Sequence, residues 1–121
     1  MSEDKKQQFN VKNCVMIYSM EIIGGKWKLP ILWKLYRNKA MRYNELKRTL
    51  KGITNIMLTR SLQSLEENGL VNRVEFNQIP PRVEYSLTAA GLELVPAMEE
   101  IFSWGKERMV KEDIDLQNAK C

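Results

Sequence analysis

The chain has 121 residues, 44% of them hydrophobic and 28% charged, with a formal net charge of +4 and no histidine. That length fits one domain with a core of its own. The lack of histidine removes the commonest general base and metal ligand. No Walker loop, dinucleotide-binding glycine pattern or nucleophile elbow is present, and IIGGKWKL lacks phosphate-loop spacing, so neither an enzyme nor a cofactor is expected.

No apolar run reaches the ~18 residues of a membrane span. The polar start MSEDKKQQFN has no signal-peptide core, so a cytoplasmic protein without a membrane partner is expected. Cys14 and Cys121 lie near opposite ends and form neither a disulfide framework nor a metal-ligand pair. The charge is uneven. Residues 1–53 balance at +8, residues 54–88 at −1 and residues 89–121 at −3, and Lys26–Lys51 holds nine basic residues against Glu45 alone. A basic block of this kind suits a polyanionic partner.

In chain order, residues 1–13 read as a polar arm. Asn13 is placed to cap a helix over Cys14–Ile23, with Met16, Met20 and Ile23 on one stripe, and Gly24-Gly25 stops it. A second helix is expected over Lys26–Tyr36. Its apolar face is Trp27, Ile31, Leu32 and Leu35, and Pro30 is tolerable only in its first turn. A short helix over Tyr43–Leu50 carries Tyr43, Leu46 and Leu50 at helical spacing. The turn KGIT leads to a helix over 54–68 with Thr54 as cap, Ile53 stapling onto Leu58, and NGL at 68–70 as the stop.

The runs Val74-Glu75-Phe76 and Val83-Glu84-Tyr85 alternate as two antiparallel strands. They are joined by Asn77–Arg82, a loop stiffened by Pro80-Pro81. Thr88 caps one long final helix to residue 111, bent at Pro96 and loosened at Gly105, and residues 112–121 form a polar tail. The expected fold is therefore mainly α with a small β-hairpin, a winged helix-turn-helix occupying 14–111.

In such a motif the second helix enters the major groove of double-stranded DNA. On the helix over 54–68, Leu58, Leu62 and Leu65 form the core stripe, and Ile56, Thr59, Arg60 and Gln63 lie opposite. Arginine forks onto guanine, glutamine pairs with adenine, and threonine or isoleucine touches a thymine methyl. Thr54 and Asn55 begin this helix and complete the candidate set. Arg42, Lys47, Arg48 and Lys51, on or beside the preceding helix, are expected on the phosphate backbone. Arg82, in the wing, is expected in the minor groove. Two other readings stay open: a protein–protein interaction module on the same scaffold, and a small-ligand-binding regulator without strong DNA specificity of its own.

The segments IIGGKWKLPIL, RYNELKRTLKGITNIMLTRSLQSLEENGLVNR and IPPRVEYSLTAAG resemble the HxlR-type winged-helix regulators of bacteria, relatives of the MarR group. The likeness covers about residues 14–105. It implies a homodimeric DNA-binding transcription regulator that dimerises through its first and last helices. It also implies a recognition helix at Thr54–Asn68 and a wing at Asn77–Arg82. The family commonly has a basic residue where this chain has Ile56, which shifts weight to Arg60 and Gln63.

The apolar bulk of the terminal helices agrees with self-association. Val15, Met16, Met20, Val95, Met98, Ile101 and Phe102 are the expected interface. Some family members sense oxidants with a thiol at the position of Cys14. This makes Cys14, near a helix N-terminus and Lys12, a candidate redox sensor, with plain packing as the alternative.

Overall fold

A computed structural model of the chain describes residues 14–114. The arm at 1–13, with the Asn13 cap, and Cys121 lie outside the described residues. The elements in order are α1 (Val15–Ile23), α2 (Lys28–Asn38), β1 (Ala40–Arg42), α3 (Tyr43–Thr49), α4 (Asn55–Glu67), β2 (Val71–Phe76), β3 (Arg82–Leu87), α5 (Ala89–Leu92) and α6 (Val95–Lys111).

The first four expected helices form, with local shifts. Cys14 is the N-cap residue of α1 rather than part of it. Helix α2 begins and ends two residues later than the spacing suggested. The cause is Pro30, which has no N–H to give to the carbonyl of Lys26. Starting at Lys28 makes Pro30 the third helical residue, and the first helical bond runs from Ile31 N to Trp27 O at 3.0 Å.

Helix α4 has the expected caps. The Met57 N–H donates to Thr54 Oγ1 at 3.1 Å. At the other end Leu70 N–H bonds Leu65 O at 2.9 Å and Gly69 N–H bonds Glu66 O at 3.0 Å. Gly69, at φ 75°, occupies the left-handed position that this closing motif needs.

The final helix is two helices. An unbroken one would ask Pro96 to donate to Leu92, which it cannot do. The chain instead turns at Glu93-Leu94, and Pro96 enters the first turn of α6. Thr88 caps α5: its hydroxyl accepts from Gly91 N–H at 3.0 Å and donates to Gly69 O at 2.6 Å.

The sheet has three antiparallel strands in the order β1-β3-β2. Strand β1 was not expected, because three residues are too few to show alternation. It exists by pairing Ala40 with Ser86, Met41 with Tyr85 and Arg42 with Glu84. The hairpin register runs from Val71 opposite Leu87 to Phe76 opposite Arg82. Both hairpin strands are thus longer than the alternating triplets, and Arg82 belongs to β3 and not to the loop.

Ile31, Leu32 and Leu35 of α2, Leu46 of α3 and Leu58, Leu62 and Leu65 of α4 make one buried cluster with Met41, Val71 and Tyr85 of the sheet. Met98 of α6 closes it at 4% exposure. That corrects the expectation for Met98: its side chain fills the core of its own protomer and is not open to a partner.

Candidate nucleic-acid interface

The leucine stripe of α4 faces α2 and the sheet, so its opposite face points outward. Ile56, Thr59, Arg60 and Gln63 are all exposed there, with Asn55 and Thr54 at the helix start. Arg42, Arg48 and Lys51 are exposed and Lys47 is half-buried on and beside α3. Among the described residues the ion pairs are Arg73–Glu75, Arg82–Glu84 and Arg108–Glu112. Arg42, Arg48, Lys51 and Arg60 have no carboxylate partner within that set, which leaves their charge available to an anion.

Sequence order brings α3 and the wing together through β1. Arg42, the last residue of β1, pairs with Glu84 of β3 and immediately precedes α3. Its N–H donates to the Glu45 carboxylate at 2.7 Å, which fixes the start of α3. A polar groove results, lined by Arg42, Tyr43, Asn44, Glu45 and Arg48 on one side and Pro81, Arg82, Val83 and Glu84 on the other.

Arg82 is placed differently from the expected free loop arginine. Its guanidinium lies over the Phe76 ring at 4.2 Å, and its Nε is 3.3 Å from Glu84 Oε2. That Nε is buried without a well-directed hydrogen bond, so the contact with Glu84 is electrostatic rather than directional. The wing tip instead presents Ile79, fully exposed, before Pro80 and Pro81. A stiff loop with an apolar tip suits a groove floor or a sugar edge better than a phosphate. The sequence signal for it was an isoleucine among turn residues.

The structure adds a residue that sequence reasoning had assigned to packing alone. The Tyr43 hydroxyl sits 3.1 Å from the Asn55 carbonyl, 3.1 Å from Asn55 Oδ1 and 3.2 Å from Thr59 Oγ1. Two of the candidate base-facing residues are therefore tied to α3.

Away from this face, α1 is almost wholly apolar yet has no buried residue. Val15 is 78% and Met16 68% exposed. On α6, Ile101 and Trp104 are more than half exposed, and Phe102 is 40% exposed while stacking on Trp33 at 5.0 Å. Leu29, Pro30, Trp33, Met98, Ile101 and Phe102 line an apolar cleft between α2 and α6. Val95 is half-buried. Cys14 is half-buried at the start of α1. Among the described residues no cluster of metal-binding side chains occurs, and no helix is long and apolar enough to cross a membrane.

Residues 22–113 match the model of a family described as HxlR-like helix-turn-helix. An uncharacterised HTH-type transcriptional regulator of Halalkalibacterium halodurans is 42% identical over 105 residues, covering 87% of this chain and 93% of that protein. The HTH-type transcriptional regulator YdzF of Bacillus subtilis, also uncharacterised, is 46% identical over 88 residues, covering 73% of this chain and 81% of its own. Among solved structures, the redox regulator HypR in its oxidised form superposes with a TM-score of 0.75 at 38% identity, covering 78% of this chain and 96% of that one.

Proposed function

Because the chain belongs to the HxlR-like helix-turn-helix family, whose members are transcriptional regulators and not enzymes, we propose that it reads duplex DNA in the cytoplasm as a two-fold homodimer. Helix α4 lies in the major groove with Arg60 and Gln63 on base edges and Ile56 against a thymine methyl. Arg42, Lys47, Arg48 and Lys51 hold phosphates, and the wing reaches the minor groove.

The observation that carries this reading is the outward face of α4. Its polar side chains stand opposite a leucine stripe that is fixed in the core, and they are flanked by cations without carboxylate partners among the described residues. The dimer rests on α1 and on the exposed side of α6, whose apolar side chains are left uncovered in one protomer. A footprint of the protein on DNA upstream of its own gene tests the reading. Two protected half-sites about one DNA turn apart, roughly 34 Å, or a small multiple of that, are expected. Binding that is uniform along the fragment would contradict it.

A second reading is favoured by one position. Cys14 is the half-buried N-cap residue of α1, and the similar HypR is a redox regulator. In this reading an oxidant takes two electrons and two protons as the Cys14 thiol and a small thiol join in a mixed disulfide, and α1 shifts with it. Mild oxidation then changes DNA retardation in the wild type and leaves Cys14→Ser unchanged. An unmodified Cys14 by mass spectrometry under conditions that oxidise free glutathione refutes it.

A further inference from the structure

We propose that Tyr43 is a positioning residue for base selectivity: through one hydroxyl it sets the hydrogen-bonding polarity that Asn55 and Thr59 present to DNA. The inference rests on α4 being the base-reading helix. A tyrosine hydroxyl has one proton, and here it faces three oxygens: the Asn55 carbonyl and Oδ1, each at 3.1 Å, and Thr59 Oγ1 at 3.2 Å. The two Asn55 oxygens can only accept and lie at equal distance, so the Tyr43 proton is shared between them in a three-centre hydrogen bond. The contact with Thr59 then needs a proton from Thr59.

Two consequences follow for the exposed face. The Asn55 amide is held with its oxygen inward, which leaves both of its N–H donors on the exposed side of the first residue of α4. An amide so fixed is a donor only, matching acceptors such as purine N7 or guanine O6 and opposing the cytosine or adenine amino group. Thr59, one turn on, has spent its only proton, so it offers lone pairs and its methyl group. A free asparagine would flip its amide to suit either kind of base edge, and a free threonine would rotate. Tyr43 therefore excludes one set of partners, and selectivity comes from that exclusion.

The ring of Tyr43 packs against the core. Tyr43→Phe therefore keeps the packing and removes only the hydroxyl. The full-length wild type and Tyr43→Phe are each used to select sites from a randomised duplex library, and affinities are then measured for selected and scrambled duplexes. The wild type is expected to yield a consensus. Tyr43→Phe should lose about tenfold in discrimination at one or two adjacent base pairs of each half-site, while its affinity for scrambled DNA changes less than twofold.

Asn55→Ala, which leaves the core untouched, should relax the same base pairs, and adding Tyr43→Phe to it should relax them little further. A wild-type consensus that Tyr43→Phe reproduces unchanged, a uniform loss for all duplexes, or relaxation by Asn55→Ala at different base pairs each overturns the proposal while leaving the reading of α4 standing. A wild type that selects no consensus overturns that reading itself. The decision does not hang on the folding of Tyr43→Phe. Were that variant unfolded by circular dichroism, Asn55→Ala would decide alone: donor-only contacts require it to lose discrimination against bases that present an amino group, and no such loss refutes them.

Discussion

Arg60 and Arg48 are both exposed arginines, yet their surroundings assign them different work. Arg60 stands on the face of α4 opposite Leu58 and Leu62, the face proposed to enter the major groove; Arg48 borders the groove between α3 and β3, beside Arg42. Arg60→Ala is expected to relax sequence preference at a cost of roughly 1–3 kcal/mol for a lost bidentate contact. Arg48→Ala is expected to weaken binding to every sequence and to make the salt slope shallower by about one unit. Affinities for a set of mutated sites at two salt concentrations separate the two, and a uniform loss from Arg60→Ala would remove its base-reading role. Thr88 shows the same economy in the scaffold. One hydroxyl caps α5 and bonds Gly69 O, at the stop of α4. Thr88→Ala is expected to lower unfolding free energy by about 1–2 kcal/mol in a urea melt. Gly91→Ala is expected to cost more, because its Cβ would fall on the Leu70 carbonyl oxygen, which is backbone and cannot turn aside.

Among the elements, α1 and α6 carry apolar surface that the protomer does not consume. The two are not equivalent as test sites. Phe102 is part of a stack with Trp33, so a charge there disturbs the protomer as well as any interface. Met16, 68% exposed on a helix without buried residues, is free of that complication. Met16→Asp is expected to leave the melting temperature of the isolated protomer nearly unchanged, to shift sedimentation at micromolar concentration from dimer to monomer, and to weaken operator binding with it. A wild type that sediments as a monomer at that concentration rules out the dimer. The wing behaves differently. Arg82, Phe76 and Glu84 lock its base, while Ile79 is the fully exposed apolar side chain at the tip. Ile79→Ala is therefore expected to change DNA affinity without changing stability, and a calorimetric melt alongside retardation checks both.

For the whole molecule, the charge distribution sets the kind of binding curve. The basic block at 26–51 folds into α2, β1 and α3, whereas α5 has no charged residue, α6 balances three acids against three bases, and the acidic excess at 89–121 comes from Glu93 before α6 and Glu112 and Asp113 after it. If Arg42, Lys47, Arg48 and Lys51 each neutralise one phosphate, a dimer contacts eight. The slope of log K against log salt is then about −7, and about half that for a monomer. Titration from 50 to 300 mM salt measures it, and a slope near zero would exclude a phosphate-held complex.

Helix α4 was legible residue by residue. Thr54 and NGL mark its ends, and Leu58, Leu62 and Leu65 mark its buried side, because caps and 3.6-residue stripes are written within a few positions of one another. Arg60 and Gln63 followed as its outer face for the same reason. The position of α2 and the break before α6 depended on local chemistry too, through Pro30 and Pro96: the first-turn place of Pro30 was expected but the bounds of α2 lay two residues off, and Pro96 starts a helix where a bend within one was expected. Other features came from contacts between distant segments. Strand β1 exists because β3 lies beside it. Met98 is core because α2 and the sheet surround it. Arg82 folds onto Phe76 because the hairpin register sets them opposite each other. Tyr43 reaches Asn55 and Thr59 across a turn whose path no periodicity reveals. The sequence by itself determined which residues face inward along α3 and α4 and most of those along α2, since that depends on spacing. Which outward residues are tied, stacked or left free was decided only by the tertiary structure, since that depends on what the fold brings within hydrogen-bonding distance.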